Sequence, residues 1–208
     1  MGKDLIIGCA SGYKWDDLKY WVNSINKTDY HGDIFIVGNG MLKEDIDKLQ
    51  GKNVQLALYG KPDEYGNVIP TSQGIPHVER FFYIWNFLSE KGKDYRYVIT
   101  TDTRDVVFQT NPSRAIERCL KQHSLVASSE GMRYENEPWG NKNLMSAFGK
   151  YFHEILSKNM IYNVGIIAGE TAQVTQLALL LFQLSLNRPI PIVDQAVYNF
   201  VMQLPIYQ

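Results

Sequence analysis

Cysteine is scarce in this chain: its 208 residues include only 2, Cys9 and Cys119. Two are too few for the disulfide framework of a small secreted domain. Cys9 lies in an apolar run and Cys119 in a helical one, so both are expected as buried thiols in a reducing, cytoplasmic setting. An excess of charge is also missing, because 21 Lys+Arg face 22 Asp+Glu for a formal net charge of -1. That balance excludes a basic field of the kind that gathers nucleic acid non-specifically, so no nucleic-acid partner is expected. No apolar run is long enough to span a bilayer. The most apolar stretch, 177–186, is short, contains Gln183 and follows Gln173 and Gln176, which marks a core helix. One lysine, one acid and the short run 5–10 make a poor signal peptide. Gly2 is followed by Ile6 where a myristoylation signal needs Ser or Thr. The Gly-Lys-Ser/Thr phosphate loop, His-Glu-x-x-His and Cys-x-x-Cys are all absent. Gly38-Asn39-Gly40 starts like a dinucleotide fingerprint, but Lys43 stands where the third glycine belongs.

What is present folds. Hydrophobic residues make up 45% and charged residues 21%, the balance of a globular protein, and the length suits one α/β domain. Residues 5–10 are an apolar run ended by Ser11-Gly12, as expected of a strand buried on both faces. Leu18, Trp21, Val22 and Ile25 recur at helical spacing, and 33–37 restores a strand before Gly38 turns the chain. A helix over 43–50 and a strand over 54–58 continue the alternation. The short links point to a right-handed, doubly wound, mostly parallel sheet flanked by helices. Residues 59–76, dense in Gly and Pro and without apolar period, are expected as a long loop, either functional or a plain surface insertion. A helix over 77–90, a buried strand over 97–101 and a helix opened by Pro112 follow. That last helix is capped by Thr110 or Asn111, with Ala115, Ile116, Cys119 and Leu120 as its inner face. Then come a short strand over 125–127, an acidic loop over 130–143, a helix to 157, a strand over 161–168 and helices over 170–187 and 194–203.

The stretch 97–108 carries the chemistry. An apolar strand ends at Asp102, and ligands in open α/β sheets gather at the carboxyl ends of strands. Asp102 and Asp105, three apart on a tight turn, can converge on a hard divalent cation that leaves positions open for phosphate oxygens. Arg104 between them can grip phosphate with its fork, or pair with a neighbouring acid and set the turn; the second role is favoured.

Asp102-Thr103-Arg104-Asp105-Val106-Val107-Phe108-Gln109 after an apolar strand resembles the acidic metal-binding motif of GT-A-fold, nucleotide-sugar-dependent glycosyltransferases. Asn163-Val164-Gly165 is similar to the strand that lines the sugar site in that superfamily, and Asp194-Gln195 to the acid-amide pair that follows it. Length and layout also resemble the compact N-terminal transferase domains that chlorella viruses encode to build capsid glycans. The resemblance implies a UDP-sugar or other nucleoside diphosphate-sugar donor, a carbohydrate hydroxyl acceptor, and Mn²⁺ or Mg²⁺ at Asp102 and Asp105. It implies donor contacts from Cys9, Ala10, Ser11 and Tyr13 around the base, with Tyr13 as a stacking ring. Arg80 would approach the diphosphate, and Thr103, Asn163, Gly165 and Gln195 would also touch the donor. Tyr13 and Arg80 are equally compatible with ordinary surface packing.

Two departures from the family pattern stand out. Two residues separate the acids where the common motif has one, and no histidine follows Asp194-Gln195. Near the sugar, Asp194 is the first candidate catalytic carboxylate and Glu137 in the acidic loop the second, although Asp194 could instead cap the last helix. A sugar nucleotidyltransferase and a non-catalytic sugar-binding module are the alternatives. The apolar ending 204–208 is expected to lead into a longer protein.

Overall fold

In the first strand, β1 (Lys3–Ser11), Leu5, Ile6 and Ile7 are each 0% exposed, and their side chains part between two cores. Leu5 and Ile7 join Val37, Phe81 and Val98 on one face of the sheet, while Ile6 joins Leu18, Trp21, Ile36 and Ile99 on the other. Successive side chains of a strand point to opposite faces, so an unbroken apolar run requires cover on both sides. Helices α3 (Pro76–Lys91) and α6 (Thr171–Ser185) cover the first face, and α1 (Trp15–Asn26) with α4 (Pro112–Leu120) covers the second. The computed structural model describes residues 2–207, and the continuation expected past Gln208 lies outside the described residues.

Six strands form the central sheet in the order β3-β2-β1-β6-β8-β7. They are β1, β2 (Asp33–Asn39), β3 (Gln55–Leu58), β6 (Tyr95–Asp102), β7 (Leu125–Arg133) and β8 (Met160–Glu170). The first four run parallel, β8 is antiparallel to β6, and β7 is antiparallel to β8. The architecture is therefore α/β, a single compact domain with a mostly parallel sheet between helices. From β1 the chain winds outward through β2 and α2 (Lys43–Leu49) to β3. It then returns through α3 to β6 on the other side of β1. The carboxyl ends of β1 and β6 thus lie side by side where the winding reverses, the place in such sheets where a crevice opens. Helices α5 (Pro138–Leu156) and α7 (Asp194–Val201) extend the first face, contributing Leu144, Leu156, Val197 and Tyr198 to its core.

Local chemistry explains the helix ends. Asn111 Oδ1 accepts from Arg114 N at 3.2 Å and Pro112 follows, so Asn111 and not Thr110 caps α4. Asp17 accepts from Lys14 N at 3.0 Å, and the acids Asp16 and Asp17 favour the positive end of α1.

Four sequence expectations change. Cys119 is exposed, because the stripe α4 buries is Pro112, Ile116 and Leu120, one position aside from the thiol. Residues 59–76 contain an ordered hairpin, β4 (Lys61–Pro62) against β5 (Val68–Ile69), in place of a structureless loop. Asp63 organises its turn by accepting from Tyr65 N at 2.9 Å and Asn67 N at 2.8 Å, and Gly66 supplies a φ of +81. Val68 N donates to Met41 O at 2.9 Å, which ties the hairpin to the loop after β2. Strand β7 runs on to Arg133 through residues expected in the acidic loop: Ser128 and Ser129 pair with Asn163 and Tyr162 of β8 after a register shift. Helix α5 starts at Pro138, inside that same loop. Among the described residues no helix is long and apolar enough to cross a membrane.

Gly149 breaks α5 with φ 76 and ψ 177. No atom lies within 4 Å of a Cβ built there, so Gly149→Ala meets backbone strain without a clash. Urea denaturation is expected to show a loss of about 1–3 kcal/mol; stability equal to wild type would mean the chain can run through this point as ordinary helix.

Candidate functional site

Where β1 and β6 end side by side, Cys9 is paired with Asp102, and a cleft of about 320 Å³ opens there. Strand β1 and the turn after it contribute Cys9, Ala10, Ser11 and Tyr13 to its wall. The first turns of α3 contribute Pro76, His77 and Arg80, and the end of β6 with the bend after it contributes Asp102, Arg104 and Asp105. The parallel crossover that leads into β6 brings the N-terminus of α3 to the same edge. Both acids of the metal-motif resemblance therefore line one cleft together with the expected base-side residues.

The bend after β6 is set by Thr103. Its Oγ1 donates to Cys9 O at 2.9 Å and its side chain is buried. A Cβ on Gly8 would crowd Trp21 at 2.8 Å and the Thr103 methyl, so glycine is needed beneath the bend. Thr103, expected among the donor contacts, instead holds the turn and does not line the cleft. Trp21 Nε1 donates to Thr101 Oγ1 at 2.8 Å inside the second core, fixing the last buried turn of β6 from below.

Arg80 is the centre of the charged network. Its Nη1 donates to Asp102 Oδ1, its Nη2 donates to Asp194 Oδ2 at 2.7 Å, and its Nε is buried with no partner among the described residues. Burial works against the guanidinium charge, but Asp194 and Asp102 outweigh it and hold the Arg80 pKa above its ordinary value. Asp194 is the first residue of α7, only 4% of its side chain is exposed, and Val193 occupies the cap position. The sequence offers it as a catalytic carboxylate near the sugar or as a helix cap. The structure makes it the buried counter-ion of Arg80, an interaction whose loss typically costs about 3–5 kcal/mol because it strands a charge. Glu137 is likewise engaged elsewhere: its carboxylate accepts from Trp139 N at 3.1 Å and from Gly140 N, capping α5. It does not line the cleft.

Asp102 is half-buried. Burial raises its carboxyl above the usual carboxylate range, Arg80 pulls it down, and Asp105 and Asp194 push it up again. Three carboxylates here meet the two guanidiniums of Arg80 and Arg104, which leaves one excess negative charge. Burial also pushes the Cys9 thiol up to about 12, so Cys9 offers a neutral wall.

Behind Asp102 lies Gly165 of β8. A Cβ there would sit 2.5 Å from Asp102 Oδ2, so the glycine makes room for the carboxylate. Asn163 Oδ1 accepts from Gly165 N at 2.7 Å, and its Nδ2 donates to Glu130 Oε1 at 2.7 Å. Gln195 Oε1 lies 3.5 Å from Val164 N, joining α7 to the same strand. Gly165 thus touches the acid directly, while Asn163 and Gln195 brace the strand that carries it. Arg104, expected to pair with a neighbouring acid, forms no ion pair among the described residues; its guanidinium carbon lies 5.7 Å from the centroid of the Tyr13 ring. Sequence reasoning missed His77 in the cleft. The available signal was its place three residues before Arg80 on one helix face.

A divalent cation shared with phosphate needs only one or two protein carboxylates, unlike an all-protein cage. Asp102 and Asp105 on one cleft wall, with a negative charge in excess, fit that requirement. No group of three or more His, Cys, Asp or Glu able to hold a metal occurs among the described residues.

The raised Asp102 pKa means the folded chain keeps this proton to higher pH than the unfolded chain does. Stability must therefore fall as pH rises from the ordinary carboxylate value through the raised one. Asp102→Asn, which mimics the protonated form, is expected to unfold at a higher temperature than wild type at about pH 7.5, with the gap closing toward about pH 4. A variant less stable than wild type at neutral pH would contradict this. No protein-family model matches the chain, and no curated protein matches it.

Proposed function

We propose that the chain is a metal-dependent glycosyltransferase of the GT-A type. It would move a sugar from a UDP-sugar or other nucleoside diphosphate-sugar to a carbohydrate hydroxyl. The observation that carries this reading is the joint presence, in one cleft at the switch point of the sheet, of the Asp102 and Asp105 carboxylates, the Tyr13 ring and the arginines Arg80 and Arg104. Such a set suits a ligand with an aromatic base, two phosphates and a cation between them.

In this reading Asp102 and Asp105 hold Mn²⁺ or Mg²⁺, which when bound offsets the negative charge developing on the departing diphosphate. Tyr13 receives the base, with Ala10 and Ser11 beside it. Gly165 leaves room for the Asp102 carboxylate, and Asn163 and Gln195 keep that strand in place. Arg80 orients Asp102 while Asp194 orients Arg80, so Asp194 is a positioning residue. In the transfer itself the acceptor hydroxyl oxygen bonds to the anomeric carbon, the bond from that carbon to the phosphate oxygen breaks, the nucleoside diphosphate leaves with the electron pair, and the hydroxyl proton passes to the departing phosphate oxygen or to water. Discrimination among sugars comes from hydroxyl contacts.

Asp102→Ala and Asp105→Ala are each expected to lower Mn²⁺-dependent release of nucleoside diphosphate by at least about 100-fold, as loss of a group that stabilises transition-state charge does. The assay offers a panel of nucleotide sugars with simple saccharide acceptors. Full turnover in both variants would end the assignment. Tight donor binding by the wild-type chain without turnover would favour a non-catalytic sugar-binding module, and exchange of label between pyrophosphate and nucleotide would favour a nucleotidyltransferase.

A further inference from the structure

Arg104 is flanked by two acids in sequence, Asp102 before it and Asp105 after it, yet among the described residues it forms neither an ion pair nor a hydrogen bond. Its guanidinium carbon lies over the Tyr13 ring, 5.7 Å from the centroid. Tyr13 is partly buried against the second core, and it lines the cleft together with Arg104, whose guanidinium lies over its ring. Neither residue lies in a helix or strand: Tyr13 follows the end of β1, and Arg104 lies in the bend between β6 and α4. Arg104 is also exposed.

We propose that Arg104 is a displaceable latch: it covers the Tyr13 face while the cleft is empty, and gives that face up to the nucleobase as it turns its fork onto the phosphates. This inference rests on the donor reading above and deepens it. A base stacking on Tyr13 must take the place of the guanidinium, because one ring face cannot hold both. The displaced guanidinium has five donors without partners, and a diphosphate is the ligand part that meets them. The two halves of the ligand therefore respond to Arg104 with opposite sign. A nucleoside has to break the contact of Arg104 with the ring and offers the displaced guanidinium no partner. A nucleoside diphosphate breaks the same contact and receives charge-assisted hydrogen bonds. The latch makes the cleft prefer a complete nucleotide over the nucleosides that share its base.

The test measures dissociation constants for the four ribonucleosides and their 5′-diphosphates, with Mn²⁺ present, by calorimetry on the full chain. In Arg104→Ala the preferred nucleoside is expected to bind about two- to five-fold tighter, the size of an exposed cation–π contact no longer broken. The matching diphosphate is expected to bind about tenfold weaker, the size of a charge-assisted hydrogen bond lost. In a Tyr13→Leu background, the gain for the nucleoside disappears and the loss for the diphosphate stays. Thermal unfolding of each variant checks that the fold is intact, which exposure of Arg104 predicts. Nucleoside and diphosphate weakened together in Arg104→Ala, or neither changed, overturns the latch and leaves the donor reading standing. Failure of the wild-type chain to bind any of the four diphosphates overturns both.

Discussion

Arg80 joins three elements that meet at the reversal of the winding: it stands on α3, bonds Asp102 at the end of β6 and bonds Asp194 at the start of α7. Remove the guanidinium and two carboxylates face each other in a half-buried place with no cation between them. The network sets the cleft wall, and it also leaves the wall incomplete, since Asp102, Asp105 and Asp194 outnumber Arg80 and Arg104. Buried ion pairs are poor sources of net stability, because burial costs nearly what the attraction returns. An arrangement that is also short of positive charge makes better sense as a site than as a staple. Burial raises the Asp102 carboxyl first, and Asp105 and Asp194 add to the rise against the pull of Arg80.

The sheet explains why these groups meet. Parallel strands with helical returns put every strand's carboxyl end on one edge, and the jump from β3 back to β6 parts the helices above β1 and β6. Cys9 and Asp102 are neighbours in register, Thr103 folds the chain back onto Cys9, and the crossover before β6 delivers the N-terminus of α3 with His77 and Arg80. Glycines 8 and 165 make room for two of these groups, one under Thr103 and the other behind Asp102. The proposed metal and donor reading rests on that convergence of carboxylates, an aromatic ring and guanidiniums.

Legibility in the sequence followed the strength of the local signal. Runs such as Leu5-Ile6-Ile7 and Val98-Ile99 mark buried strands because both faces are covered, and the acid at the end of 97–102 marks the ligand edge of the sheet. Strand β7 is hidden beyond Ala127 because Ser128 and Ser129 carry no apolar side chain while their backbone still pairs with β8, so hydrogen bonding outlasts the apolar pattern. The hairpin in 59–76 has too few residues per strand for any periodicity, although Asp63 and Gly66 carry its turn chemistry. Cys119 fell one position off the stripe that α4 buries. For Asp194, Glu137 and Arg104, sequence offers the charge but not the partner: the first is held by a residue 114 positions away, the second by its own helix start, and the third by the Tyr13 ring. Long-range partners are set by topology, and topology here turns on the switch between β1 and β6.

The central claim is that Asp102 and Asp105 share one cation with a diphosphate, and titration of Mn²⁺ followed by electron paramagnetic resonance tests it most directly. With nucleoside diphosphate present, the wild-type chain should take up one Mn²⁺ with affinity at least about tenfold higher than without it, and the nucleotide should bind tighter by the same factor with the metal, as linkage requires. The paired substitution Asp102→Asn with Asp105→Asn should abolish that mutual gain. Equal uptake of Mn²⁺ and nucleotide by the wild-type and doubly substituted chains would contradict the account.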